Sequence, residues 1–316
     1  MDTPVVLFIF NRPHTTERVM KVLAGVRPKN LWVIADGPRQ NKDGERQFCE
    51  RTRAIATAVD WDCSVLTNFA QDNLGCQKRI VSGLDWVFSQ TEQAIILEDD
   101  CLPVPSFFPF CEEILSKYRD DPRIAMASGN CFLPPSLAPR TSYYFSRHSY
   151  TWGWATWRRA WMQFDVRIEK WRKEFDEEWL ANAIGSKQEA KFWAELFDSV
   201  INGGKGTIWD YQWSFSNLSH GQFSVTPSVN LVSNIGFGEG ATHTQDPASR
   251  LAERPTSEMV FPLQHPSVVD CNRKADDYGF RNIYSEPRRS LISRLKRKVF
   301  GIPFDTKTHL TVARKG

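Results

Sequence analysis

The sequence predicts an α/β fold: a mixed, mainly parallel sheet flanked by helices, in one domain with a C-terminal extension. Three observations predict it. From residue 4 to about residue 127, short apolar runs alternate with stretches whose apolar residues recur at helical spacing. Each of the first four runs stops at a polar cluster. Beyond residue 130 the alternation gives way to aromatic-rich, less regular chain.

Pro4 to Phe10 is apolar on both faces, as a central strand would be, and ends at Asn11-Arg12-Pro13. Thr15 to Glu17 suits a helix start, and Val19, Val22, Leu23 and Val26 give that helix one apolar face. Leu31 to Ala35 is a second strand, closed by the turn former Asp36-Gly37-Pro38. A helix follows from Glu45 to Val59. Ser64 to Thr67 is a third strand, and Ile80 to Phe88 carries the next helical face. Ala94 to Leu97 is the fourth strand and runs straight into Glu98-Asp99-Asp100. Such an order gives right-handed crossovers and brings the polar clusters together at one sheet edge, where α/β ligands bind.

Phe107 to Tyr118 reads as a helix, Arg123 to Ala127 as a strand, Gln188 to Val200 as a helix and Ile208 to Leu218 as another. Pro227 to Ile235 looks extended, and a Pro-rich loop covers 247–266. In the tail, Arg288, Arg289, Arg294, Lys296, Arg297 and Lys298 interleave with Leu291, Ile292, Leu295, Val299 and Phe300. This basic amphipathic helix reads either as a docked terminal helix or as a contact with an anionic membrane surface.

The 316 residues, 41% hydrophobic, are enough for one large core. A net charge of +3 argues against nucleic acid as a partner. Seven scattered Cys without a C-x-x-C pair point to a reducing compartment, and no apolar run approaches the ~20 residues of a membrane span. The expectation is a cytoplasmic protein, peripheral on the inner membrane face. No G-x-G-x-x-G follows the first strand and no P-loop occurs, which excludes the usual dinucleotide and P-loop sites. The absent glycine-rich, Lys-bearing loop also argues against a nucleotidyltransferase.

Three acids after a buried strand repel one another unless a cation shares them. A diphosphate held through Mn²⁺ or Mg²⁺ suits such a strand end, because these ions prefer carboxylate and phosphate oxygens. Arg12 offers a fork of donors to the diphosphate and Asp36 an acceptor to a base edge. Gly153 between two Trp suggests a backbone that something approaches closely.

Ile96 to Asp100 resembles the acidic motif of GT-A nucleotide-sugar glycosyltransferases. The closer resemblance is to the N-acetylglucosaminyltransferase I-like family, which starts complex N-glycan branching, and to bacterial haemolysin-like proteins. Phe10-Asn11-Arg12-Pro13, Ala35-Asp36-Gly37, Leu97-Glu98-Asp99-Asp100, Ala127-Ser128-Gly129-Asn130, Gly153-Trp154, Trp209-Asp210 and Gly236 to His243 carry it. It implies a GT-A domain over 1–245, with a nucleotide-sugar half (1–130) and an acceptor half (131–245). A wrapping segment (246–284) and the basic tail (285–316) follow.

The resemblance implies an inverting, metal-dependent hexosyl- or N-acetylhexosaminyl-transferase. The donor would be a nucleoside-diphosphate sugar, with UDP favoured, and the acceptor a glycan or lipid-linked hydroxyl. By position, Asp100 would hold the metal. Arg12, Asp36, Glu98, Asp99, Asn11 and Gln77 would contact the donor. Gly153 and Trp154 would contact the acceptor, and Asp210 would be the catalytic base.

Each role has a structural alternative: Asp36 as a turn former, Asp210 as a helix cap, Trp154 as core. Asp165 and Glu239 are the reserve bases, and His243 is read as structural. The competing functional reading is a non-catalytic sugar- or membrane-binding protein.

Overall fold

The computed structural model describes residues 1–203, 208–238, 246 and 249–284. The basic tail, Glu239 and His243 lie outside the described residues. The first half alternates as expected: β1 (Val5–Ile9), α1 (Pro13–Val26), β2 (Asn30–Ala35), α2 (Glu45–Thr57), β3 (Ser64–Phe69), α3 (Cys76–Phe88) and β4 (Gln93–Glu98). There follow β5 (Cys101–Pro103), α4 (Phe107–Lys117), β6 (Ile124–Ser128), β7 (Tyr143–Ser146), β8 (Trp154–Trp157) and the short α5 (Arg158–Trp161). The chain continues through α6 (Glu177–Ile184), α7 (Lys187–Ile201), α8 (Asp210–Ser219), β9 (Phe223–Pro227), β10 (Val232–Asn234) and α9 (Arg273–Gly279).

Eight strands form one sheet in the order β3-β2-β1-β4-β8-β6-β9-β7. The pairs β1–β2, β1–β4, β2–β3 and β6–β9 are parallel, and β4–β8, β6–β8 and β7–β9 are antiparallel. The sheet is therefore mixed. Its parallel half is the one the sequence pattern announces. β5 and β10 make a separate antiparallel pair, Asn234 opposite Cys101.

Period-two alternation divides the core. Val5, Leu7 and Ile9 of β1 pack on one face with Val19 and Leu23 of α1 and Phe107 and Phe110 of α4. Val6 and Phe8 point to the other face, with Ile80 and Leu84 of α3, Trp154, Trp161 and Trp213. β1 is buried throughout, which is why it reads as a continuous apolar run. β3 is the outer strand and keeps Ser64, Leu66 and Thr67 exposed.

The antiparallel strands differ from expectation. β8 lies in the aromatic stretch between β4 and β6, where no strand is expected. The extended segment 227–235 resolves into the end of β9 and the three residues of β10. Within 246–284, the chain turns helical at α9 and again over Phe280–Tyr284. There Ser146 Oγ donates to Asp276 at 2.5 Å, and Asn272 N donates to the Phe145 carbonyl at 2.8 Å, which fasten α9 to the edge strand β7.

α6 and α7 form a tight hairpin. Gly185, at φ 82°, ends α6, and Ser186 caps α7 by accepting from Glu189 N. Their apolar faces and Phe215 and Leu218 of α8 build a separate cluster.

Candidate active site

The carboxyl ends of β1 and β4 lie side by side, with Phe8 opposite Glu98. Beyond that pair, Phe10 N donates to Asp99 Oδ2 at 2.9 Å, so Asp99 closes the β1 end. Arg12 precedes Pro13, the first residue of α1, a position proline suits because its missing N–H has no helical partner. Thr16 donates to the Arg12 carbonyl through both N and Oγ1 and fixes the entry to the helix. Arg12 Nη1 then reaches Asp100 Oδ2 at 2.6 Å.

The β5–β10 pair clamps the acidic turn from the other side. Ile235 N donates to the Asp100 carbonyl at 2.8 Å. Gly236 lies so close that a Cβ there would sit 2.0 Å from Asp100 Oδ2. Only glycine lets the backbone pass this carboxylate.

Glu98, Asp99 and Asp100 are thus assembled around one guanidinium. Burial, followed by the charges of Asp100 and Asp99, pushes the Glu98 carboxyl up to about 8, and only Arg12 opposes the rise. Burial and the Asp100 charge push Asp99 up to about 7. The charge of Asp210 also bears on Glu98, so the downstream carboxylate faces the same group. The Cys76 thiol, at the start of α3, is raised by burial and then by Glu98, Asp210, Asp100 and Asp36 in turn.

Asp36 is buried at the end of β2, and its carboxylate is already satisfied. It accepts from Gly37 N, Leu74 N and Gly75 N and from Asn73 Nδ2, at 2.8–3.0 Å. Expected to meet a base edge, Asp36 instead binds the loop between β3 and α3. Gly37 is pressed against that loop, since a Cβ would fall 2.4 Å from the Asp72 carbonyl carbon.

Two arginines unforeseen from the sequence finish this edge. Arg79 donates to the Ala35 and Asn68 carbonyls, and Arg53 donates to the Asp36 and Ala70 carbonyls. The sequence signal for Arg79 is a basic residue set just before Ile80 on a helix face otherwise turned inward.

Asn11 donates to Glu45 Oε1 at 3.0 Å, and Glu45 also receives the backbone and guanidinium of Arg39. Gln77 donates to the Ile208 carbonyl at 3.1 Å, tying the start of α3 to the segment before α8. Both expected donor contacts therefore hold loops of the edge in place.

Asp210 opens α8 and is half-buried, with its Oδ1 shielded from solvent. Burial raises it to about 6, while its own N–H and that of Tyr211 work in the opposite direction. Its Oδ1 has no hydrogen-bond partner among the described residues. Asp165, the reserve base, instead accepts from Arg167 N and Glu169 N in a turn.

Trp154 does not face an acceptor. It is 1% exposed and stacks on Trp209 at 5.5 Å beside Trp213. The close approach at Gly153 comes from Val232, whose Cγ2 would lie 2.7 Å from an added Cβ.

Among the described residues no three His, Cys, Asp or Glu side chains converge as a complete metal cage. Mg²⁺ and Mn²⁺ sites on nucleotides need fewer protein ligands, since one or two carboxylates serve when phosphates supply the rest. Asp100, its carboxylate paired with a guanidinium among raised carboxyls, fits that arrangement.

No family model matches the chain, and no curated protein matches it. Solved structures give distant likenesses. Residues 1–349 of Staphylococcus aureus TarS match at 11% identity and TM-score 0.37, over 72% of this chain and 58% of that one. A mannosyltransferase from Pyrobaculum calidifontis, in complex with GDP-Man and Mn²⁺, matches at 14% identity and TM-score 0.35, over 68% and 70%. A cytidylyltransferase from Leptospira borgpetersenii matches at 9% identity and TM-score 0.34, over 52% and 64%. The chain thus spans less than two thirds of the TarS fragment and of the cytidylyltransferase. Likeness at these scores carries no functional argument.

Proposed function

We propose that the protein is a GT-A-type, metal-dependent inverting glycosyltransferase that uses a nucleoside-diphosphate sugar, UDP-sugar favoured, and a glycan or lipid-linked hydroxyl. One observation carries this reading. Arg12 pairs with Asp100 at 2.6 Å and Asp99 accepts from Phe10 N, so that three carboxyls crowd one guanidinium at the ends of two parallel strands, where burial first and then the charges of Asp100 and Asp99 raise Glu98. The group is electrostatically incomplete, and a cation-bound diphosphate would complete it.

Asp100 would hold the divalent ion, which when bound would neutralise charge on the leaving diphosphate. Arg12, released from Asp100, would turn its fork of donors to phosphate oxygens. Glu98 and Asp99 would accept from hydroxyls of the donor. Asp210 would take the proton of the acceptor hydroxyl as that oxygen bonds to the anomeric carbon. The bond from that carbon to the diphosphate oxygen would break on the opposite side, inverting the centre. A carboxylate raised to about 6 is ionised at neutral pH and still basic enough for this transfer. The shielded Oδ1 of Asp210, which has no hydrogen-bond partner among the described residues, supports the role.

The test is calorimetric titration of UDP and GDP with and without Mn²⁺. Metal-dependent UDP binding that disappears in Asp100→Ala is the expected result. Binding indifferent to both the metal and Asp100 would sink the proposal.

A further inference from the structure

Two residues before the buried Trp154, the half-buried Trp152 turns the other way. Its ring meets Phe237 edge-on at 5.8 Å and Phe132 at 6.0 Å. Phe132 packs against Tyr150 at 4.7 Å, and Tyr150 stacks on Tyr284 at 6.3 Å and 12°. These five rings form one row. It starts at Phe237, next to the Gly236 that abuts Asp100, and ends at Tyr284, a ring on which the charge of Asp210 bears. Phe132 and Tyr150 are the buried backing, and Trp152, Phe237 and Tyr284 keep solvent contact. The row thus runs from one residue beyond the glycine that abuts Asp100 to within reach of the Asp210 charge.

One cation stands over this row. The Arg254 guanidinium lies 5.3 Å from the centre of the Phe132 ring. It has no acidic partner among the described residues, and its Nε is buried with no acceptor. A buried donor left unpaired costs about 1–3 kcal/mol.

The position is nonetheless held firmly. Glu253 N donates to the Asn234 carbonyl, Ser257 N donates to the Asn230 carbonyl, and Asn230 Nδ2 donates to the Pro255 carbonyl. Arg254 is thereby fixed beside β10, the strand that clamps Asp100. Glu253 adopts φ 44°, a left-handed conformation unfavourable for a residue with a side chain. An unpaired fork of donors, fixed at the cost of backbone strain and set above the Phe132 ring, is built for an anion.

We infer that this row is the acceptor subsite and that the acceptor is an anionic glycan. A pyranose ring would lie on Trp152 and Phe237, and a carboxylate or phosphate on that sugar or its neighbour would pair with Arg254. The word acceptor rests on the transferase reading, whereas the anionic-glycan site does not.

The experiment is calorimetry of the full chain with two matched pairs of probes. Glucuronosyl-glucose is compared with cellobiose, and glucose 1-phosphate with glucose. At least one anionic probe is expected to bind about tenfold more tightly than its neutral partner, the scale of one charge-assisted pair. The pair that shows the margin tells carboxylate from phosphate. Arg254→Gln should abolish the margin, Arg254→Lys should restore part of it, and Trp152→Ala should weaken both members of the pair. UDP with Mn²⁺ is titrated on the same samples to verify an intact donor site. Equal binding of anionic and neutral probes overturns the inference, as does a margin that survives Arg254→Gln while Mn²⁺–UDP still binds. A wild-type margin without UDP binding would defeat the transferase reading and leave the anionic-glycan site standing.

Discussion

Gly153→Ala separates two explanations for a glycine between tryptophans. Gly153 has φ +70°, and an alanine there pays about 1–2 kcal/mol for the left-handed conformation. The new Cβ would also lie 2.7 Å from Val232 Cγ2, 3.1 Å from its Cγ1 and 3.3 Å from Leu97 Cδ2. Overpacking of that kind costs a further ~1–3 kcal/mol. The expected loss is thus about 2–5 kcal/mol, a large part of a typical folding free energy.

Urea denaturation measures it as a fall in midpoint at unchanged slope. Gly25→Ala is the control, since nothing lies within 4 Å of its added Cβ and it sits inside α1. That variant should gain stability, by about 0.5–1 kcal/mol. Adding Val232→Ala to Gly153→Ala should recover the steric part alone, a coupling of about 1 kcal/mol or more. A Gly153→Ala protein with wild-type stability would refute this account and point to a substrate as the group that approaches the glycine.

Three further variants have expected outcomes. Asp210→Asn should keep Mn²⁺-dependent UDP binding and lose turnover by about 10²–10⁴-fold, and wild-type turnover should fall as pH drops through about 6. The same raised carboxyl makes a stability prediction. Burial raises Asp210 in the fold, so its ionised form destabilises the protein above about pH 6 and that cost vanishes near pH 4. Asp210→Asn should therefore stabilise by roughly 1–3 kcal/mol at pH 8 and by little at pH 4, as read by denaturant midpoints. Arg12→Gln strips the acidic turn of its cation, and a loss of about 3–5 kcal/mol is expected where the carboxylates are ionised. Because Glu98 and Asp99 are raised, that loss should be greater at pH 8.5 than at pH 5.5, and a pH-independent loss would contradict it. Asp36→Asn places an amide donor among backbone donors and should cost about 1–3 kcal/mol, visible as faster proteolysis near residues 72–75.

The parallel half of the sheet is legible in the sequence because β1, β2 and β4 bury both faces and are punctuated by polar turns. β9 is not legible. Ser224 and Thr226 are buried within it, and their hydroxyls have no partner among the described residues, so neither face reads as apolar. β8 is hidden for the opposite reason, since Trp152, Trp154 and Trp157 surround it with aromatics of no clear period.

The acidic turn and Arg12 are legible because a run of charge after a buried strand is a local signal. The fate of Asp36 is not, because apart from Gly37 N the partners of its carboxylate lie 37 to 39 residues away, and two of them are backbone N–H groups that carry no residue signature. The direction of the tryptophans is likewise invisible until the strands are paired, and pairing leaves Trp152, not the expected Trp154, as the ring that keeps solvent contact.

β8 has a consequence for cutting the chain. It enters antiparallel between β4 and β6, so residues 154–157 occupy the open side of the strand that presents the acidic turn. A fragment ending near residue 130 would keep all of the early strand ends and yet leave Ala94, Ile95 and Ile96 as a bare apolar rim. Such a rim recruits other chains. Separate expression of the first half should yield aggregates, and co-expression with the second half should rescue it. The early strand ends and the aromatic region are thus woven into one inseparable unit, which can be lengthened at its loops but not divided.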